Sequence, residues 1–308
     1  MKQKNEKRKV VMPLWVNLFF TTVSLLYLKF LYKIKIDRSN LKNQKRGCLL
    51  LYNHYSNKDH YVIKASTGYR RVTYVLASTF YLNKVLNVLL HLARAISKDQ
   101  FKPDISAIRN MRQAIEKNQV IAISPAGQTT IDGNTAFISK TIVKFIRMAK
   151  ADVMALQTRG VYLTFPKWRQ EKRKCRMETK FIPLIKKEEI DNLTDDEIYN
   201  LVVNALSVRE YEDQYTMKRK IKSKNIISGL QNIIVKCPKC GKYHSFNLVD
   251  KHIECDSCGL QIHMDEYGFL SYSDKSINFK TIPELYSYQR EQVGLDFLNG
   301  MEYSDEVT

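Results

Sequence analysis

Between Lys35 and Thr164 short apolar runs alternate with stretches whose apolar residues recur at helical spacing. Strands are expected at Gly47–Tyr52, Val72–Ala77, Val120–Ser124 and Val153–Gln157, and helices at Tyr61–Gly68, Leu82–Ala93, Asp104–Asn118 and Ser139–Ala149. Strands alternating with helices predict an α/β fold with a largely parallel central sheet. Asp104 reads as the N-cap of its helix. Met177–Pro183 adds a strand. A further helix opens at Asn192-Leu193-Thr194 and runs to about Ser207, with acids in its first turn as the helix dipole favours. The last predicted helix is Ile282–Leu298.

The N-terminus has a different pattern. Lys2, Lys4, Lys7, Arg8 and Lys9 face one acid, Glu6, and no charge then occurs from Val10 to Leu28. Nineteen residues can just cross a bilayer as a helix. Pro13, Asn17 and Thr21-Thr22 weaken a span, and Lys29, Lys33 and Lys35 make both flanks basic, without the asymmetry of a spanning helix. Basic flanks with Trp15, Tyr27 and Tyr32 fit a helix lying in one leaflet. A buried core helix is the other reading.

Composition adds two constraints. Of 308 residues 44% are hydrophobic, which excludes a disordered chain, and the formal charge of +19 calls for an anionic partner, either a membrane face or nucleic acid. The stretch Tyr215–Lys224 is a basic linker, but it lacks aromatics interleaved with its bases, which argues against nucleic acid.

Four of six cysteines form two C-x-x-C pairs, Cys237/Cys240 and Cys255/Cys258, with fourteen residues between the pairs. The spacing predicts a zinc ribbon with a closed, structural site. Iron on the same ligands and two disulfides are the alternatives. Gly241 and Gly259 each follow a second cysteine, where a tight knuckle needs glycine. Reduced thiolates favour the cytosol, so the chain is expected at the cytoplasmic face of the membrane. Cys48, inside an apolar strand, reads as core.

The apolar run Cys48–Tyr52 ends in Asn53-His54-Tyr55-Ser56-Asn57-Lys58-Asp59. On one continuous helix His54 and Asp59 would diverge by about 140°. They meet if the loop enters a helix between them, with Ser56 or Asn57 as cap. Asp59 would then orient the ring and leave its other nitrogen free to take a proton. A capping loop with an incidental histidine explains the same residues.

The N-H-x-S-x-x-D pattern resembles the first motif of the glycerolipid acyltransferases, the family of lysophosphatidic acid and glycerol-3-phosphate acyltransferases. Ala95-Ile96-Ser97-Lys98 stands where that family has its second, phosphate-binding motif, with Lys98 in place of the usual arginine. Ser124-Pro125-Ala126-Gly127-Gln128-Thr129-Thr130 stands where it has F-P-E-G, with Ala126 for the glutamate and no arginine after Gly127. Val153–Pro166 corresponds to a fourth block. The resemblance spans about Leu28 to Phe165.

It implies a membrane-associated enzyme that moves a fatty acyl group from a thioester to the hydroxyl of a lysophospholipid or glycerol phosphate. His54 is the implied general base and Asp59 its partner, with the acceptor hydroxyl attacking directly. Asn53, Ser56, Lys98, Pro125, Gly127, Thr129, Thr130 and Lys140 are the implied substrate contacts. Acyl-CoA or acyl-carrier protein is the implied co-substrate. A second reading is a degenerate acyltransferase fold whose ribbon and linker bind nucleic acid or a protein.

The expected organisation is 1–34 basic N-terminus and membrane helix, 35–214 acyltransferase-like domain, 215–233 basic linker, 234–272 zinc ribbon, and 273–308 helix with an acidic tail.

Overall fold

A computed structural model describes residues 10–99 and 104–302. The basic residues Lys2 to Lys9 and the tail acids Asp305 and Glu306 lie outside them. The chain divides into two compact units.

The first unit comprises Met1–Thr129, Thr135–Arg159 and Met177–Val208. Helix α1 (Leu14–Tyr32) precedes strand β1 (Lys35–Asp37), a short helix α2 (Ser39–Asn43) and β2 (Cys48–Tyr52). Then follow α3 (Asp59–Thr67), β3 (Val72–Ala77), a 3-10 turn at Ser78–Leu82, α4 (Lys84–Leu92), β4 (Ile96–Lys98), α5 (Ile105–Glu116), β5 (Val120–Ile123), α6 (Thr141–Ala149), β6 (Asp152–Arg159), β7 (Glu178–Ile185) and α7 (Asp195–Leu206).

The strands form one sheet in the order β1-β7-β6-β2-β5-β3-β4. From β6 to β4 neighbours are parallel, whereas β7 runs antiparallel to β6 and carries β1 parallel to itself. The α/β fold with a mostly parallel sheet is therefore as expected. β1, α2 and β4 have three to five residues each, too short for a periodicity to reveal.

β2 is central and buried along its whole length, which is why it reads as a continuous apolar run. Its side chains alternate between two cores. Leu49 and Leu51 meet Met111 of α5, Ile142 and Ile146 of α6, and Ile198 and Val202 of α7. Cys48, Leu50 and Tyr52 meet Leu41, Ile63 and Phe181. Burial pushes the Cys48 thiol up to about 12, so it is an inert core group.

The crossovers from β2 to β3 and from β3 to β4 step the same way along the sheet. Right-handed connections therefore put α3 and α4 on one face, and α5 and α6 on the other.

Helix α1 packs its polar side inward. Asn17, Thr21 and Ser24 are buried, while Trp15, Phe19, Leu26 and Phe30 are exposed, Phe30 at 78%. Asn17 Nδ2 donates to the Tyr69 carbonyl and Thr21 Oγ1 to that of Gly68. Lys64 of α3 is buried and donates to Asn17 Oδ1, the Gly68 carbonyl and the Arg70 carbonyl at 2.7, 3.1 and 2.8 Å. Burial lowers its pKa to about 7, although three acceptors match the three protons of an ammonium.

The second unit comprises Thr130–Asn134, Gly160–Arg176 and Arg209–Thr308. Helix α8 (Glu210–Met217) extends into the segment expected as a linker. Lys222 in that segment pairs with Lys174 in an isolated bridge, and Leu230–Ile233 form a 3-10 turn. Beside α8 lies a buried polar group that the sequence did not announce. Arg173 sits over the Trp168 ring at 5.5 Å, and burial pushes the Glu210 carboxyl up to about 7.

The ribbon is an antiparallel sheet, in the order β11 (Leu270–Tyr272), β10 (Gln261–Met264), β9 (His252–Cys255), β8 (Phe246–Val249). Helix α9 (Ile282–Leu298) closes the described chain. Thr281 and Glu284 form a capping box at its start.

Candidate active site and metal centre

The end of β2 delivers His54 into a loop that becomes α3 at Asp59. The two side chains meet there, with His54 Nδ1 2.7 Å from Asp59 Oδ2. The expected helix start between them is present, but the cap is not. The N-cap position is Lys58, and no side chain caps the helix. Ser56 Oγ instead accepts the Lys58 amide, and the Ser56 amide donates to Asp59 Oδ2 at 3.2 Å. This small turn fixes the carboxylate against the ring.

Asp59 is buried, and desolvation raises its pKa above the usual carboxylate range. His54 and the amides of Tyr55 and Ser56 pull in the other direction. A carboxylate there accepts from Nδ1–H and leaves Nε2 as a bare acceptor. That nitrogen lies 3.1 Å from Thr129 Oγ1, so the Thr129 hydroxyl donates to it. The His54 side chain is 27% exposed, enough to be reached from solvent while Asp59 behind it is not.

Strands β2 and β5 are neighbours in register, with Leu51 opposite Ile123. His54 and the stretch Ser124–Thr129 therefore emerge side by side at the carboxyl ends of parallel strands, where open α/β sheets place their sites. Gly127 has φ of +71° and open space where a Cβ would stand. Pro125 is half-buried beside it. Ala126 packs against the core under α5 and α6, so the position that resembles the family's glutamate has turned inward.

The other expected contacts divide. Lys98 ends β4 on the same edge of the sheet, three strands from β2, or about 14 Å at ordinary strand spacing. The Asn53 amide is buried and donates to Tyr55 Oη and the Leu206 carbonyl, which anchors the loop. Lys140 pairs with Asp196 at 2.8 Å, both exposed. Thr130 lies in the second unit, its hydroxyl donating to Asp132 and accepting the Gly133 amide. His60, next to Asp59 in α3, is exposed and lies against the Tyr61 ring, with centroids 4.1 Å apart.

Residues 33–159 match the family model described as Acyltransferase. The chain thus carries an acyltransferase-family domain. The match takes in β2, the His54–Asp59 pair, Lys98 and the Ser124–Thr130 turn. Among solved structures, PlsC, the 1-acyl-sn-glycerophosphate (LPA) acyltransferase of Thermotoga maritima, is similar at 13% identity. It aligns with a TM-score of 0.47 over 64% of this chain and 81% of that one. No curated protein matches the sequence.

Outside the acyltransferase domain, the four ribbon cysteines converge, with all four sulfurs within 4.8 Å of one another. Cys237 and Cys258 are 3.8 Å apart, as are Cys240 and Cys255. A tetrahedral ion with metal–sulfur bonds of about 2.3 Å sets its sulfurs about 3.8 Å apart. A disulfide needs about 2.05 Å, so the pairs are not disulfides. Amides of Lys239 and Cys240 point at the Cys237 sulfur, those of Ser257 and Cys258 at Cys255, and that of Leu260 at Cys258. Gly241 and Gly259 have φ of +73° and +67°, the left-handed turn such knuckles need. The cluster can hold a metal ion with no ligand position left open.

Proposed function

We infer that the protein is a membrane-associated glycerolipid acyltransferase. It moves a fatty acyl group from a thioester, acyl-CoA or acyl-carrier protein, to the hydroxyl of a lysophospholipid or glycerol phosphate. The observation that carries this is the His54–Asp59 pair at the mouth of the sheet in an acyltransferase-family domain.

His54 Nε2 takes the proton of the acceptor hydroxyl, whose oxygen attacks the acyl carbonyl. Asp59 holds the ring in the required tautomer and stabilises its charged form. The Gly127 turn offers backbone N–H groups to an anion, and Lys98 supplies a positive charge on the same edge. Lys98 lacks the planar two-point contact of arginine, so phosphate is held by charge more than by geometry.

The apolar side of α1 supports the membrane assignment. Its inner side is bonded to the domain and its outer side exposes Trp15, Phe19, Leu26 and Phe30, the arrangement of a helix lying in one leaflet. The 3-10 turn and α4 add Phe80, Leu82, Val85 and Val88, all exposed, Leu82 at 82%. No acid occurs from His60 to Lys98, while Arg70, Arg71, Lys84, Arg94 and Lys98 do, besides the buried Lys64. An anionic leaflet on the cytoplasmic side suits that surface. The ribbon would hold structural zinc through Cys237, Cys240, Cys255 and Cys258.

The test is lipid mass spectrometry of cells with and without the protein. The expected result is a gain in diacylated product at the expense of a lysophospholipid. An unchanged lipid profile under strong expression would remove the reading.

A further inference from the structure

We propose that Thr129 is a nucleophile and that the acyl group passes through an ester on its hydroxyl before reaching the acceptor. The proposal rests on the acyl-transfer reading and adds a covalent step to it.

The geometry is a hydroxyl, an imidazole and a carboxylate in line. Thr129 Oγ1 is 3.1 Å from His54 Nε2, and His54 Nδ1 is 2.7 Å from Asp59 Oδ2. A nucleophile within hydrogen-bond reach of a base, itself oriented by a third group, is the signature of an activated hydroxyl. Asp59 is in turn held by the Ser56 amide. Thr129 is half-buried on the Gly127 turn. The acyltransferases that this stretch resembles place basic residues after the turn. Here a hydroxyl reaches the catalytic nitrogen.

In the first half-reaction the Thr129 O–H proton moves to His54 Nε2 and Oγ1 bonds to the thioester carbon. The carbon–sulfur bond breaks, and His54 returns the proton to the departing thiolate. In the second, the acceptor hydroxyl gives its proton to Nε2 and its oxygen bonds to the acyl carbon. The bond to Thr129 breaks and Oγ1 recovers a proton from His54. Thioester and alcohol become ester and thiol, with no change in oxidation state.

The full-length protein in phosphatidylglycerol vesicles is mixed with palmitoyl-coenzyme A, or palmitoyl acyl-carrier protein, without an acceptor. Acid-quenched protein is read by intact mass and peptide mapping, and exchange of labelled free thiol into the thioester is followed in parallel. One palmitoyl group on the peptide containing Thr129, together with thiol exchange, is expected. Thr129→Ala should lose both and lower transfer to lysophosphatidic acid about 10³-fold or more, and Thr129→Ser should restore them. Transfer at the wild-type rate by Thr129→Ala, with His54→Ala inactive and no exchange, overturns the nucleophile and leaves the acyltransferase reading standing. Neither exchange nor transfer by the wild type overturns both.

Discussion

At the residue scale two side chains carry most of the proposed chemistry. The Asp59 carboxylate is placed to hold His54 with Nε2 bare. Asp59→Asn can present its amide to Nδ1 and so favour the wrong tautomer. Its kcat is expected to fall about 10³- to 10⁴-fold, with the fold intact by circular dichroism. Steady-state kinetics on the purified variant checks this.

Lys64 has no part in the chemistry but carries a pH signature. Its folded pKa, about 7, is below the ordinary lysine value of 10.5, so the folded chain holds this proton more weakly than the unfolded chain does. Its contribution to stability is full above 10.5, is lost as pH falls towards 7, and is constant below. Wild type should therefore gain stability as pH rises from 7 to 10, by on the order of a few kcal/mol at most. Lys64→Met should flatten that slope in denaturant melts at each pH. His54 and Asp59 were legible in the sequence because the meeting of a strand end and a helix start leaves few geometries. Lys64 was not, because its one side-chain partner, Asn17, is 47 residues away and the other two, at Gly68 and Arg70, are backbone carbonyls.

Helix α1 is the element whose sequence and structure inform each other most. Its apolar length was plain, but length alone does not separate a core helix from a membrane helix. The polar contacts of Asn17 and Thr21 with the α3 end turn the hydrophobic side outward, which supports the membrane reading proposed above. Replacing Trp15, Phe19 and Phe30 together with serine removes exposed apolar surface and leaves the inner contacts alone. The variant is expected to lose flotation with phosphatidylglycerol vesicles while keeping its thermal stability. Undiminished flotation would assign the anchor to another surface, with the exposed side of α4 the first to examine.

The long elements α5 and α7 were readable from their starts and spacing, and α9 as one helix without its cap. Asp104, Thr194 and Thr281 each accept an amide from the first helical turn. The strand β7 was readable but its antiparallel direction was not, because direction leaves no mark on hydrophobic periodicity, and its partner β1 is too short to show one.

At the scale of the whole molecule the chain combines an acyltransferase-family domain with a cysteine-ribbon unit. The four-sulfur arrangement is expected to hold one zinc per chain, measurable by elemental analysis. Cys237→Ser or Cys258→Ser should lose it, and a strong chelator should make the 234–272 segment sensitive to protease. The ribbon was legible because ligand spacing is a local code. The division into units was less so, since Thr130–Asn134 and Gly160–Arg176 belong to the second unit and are far in sequence from the rest of it.

The role of His54 as base is tested by acyl transfer with purified protein in vesicles. Wild type and His54→Ala are each given palmitoyl-coenzyme A or palmitoyl acyl-carrier protein with lysophosphatidic acid, and phosphatidic acid is measured. Product is expected with wild type and a loss of about 10³-fold or more with the variant, at equal vesicle binding and zinc content. Product formation by His54→Ala at the wild-type rate would contradict that role.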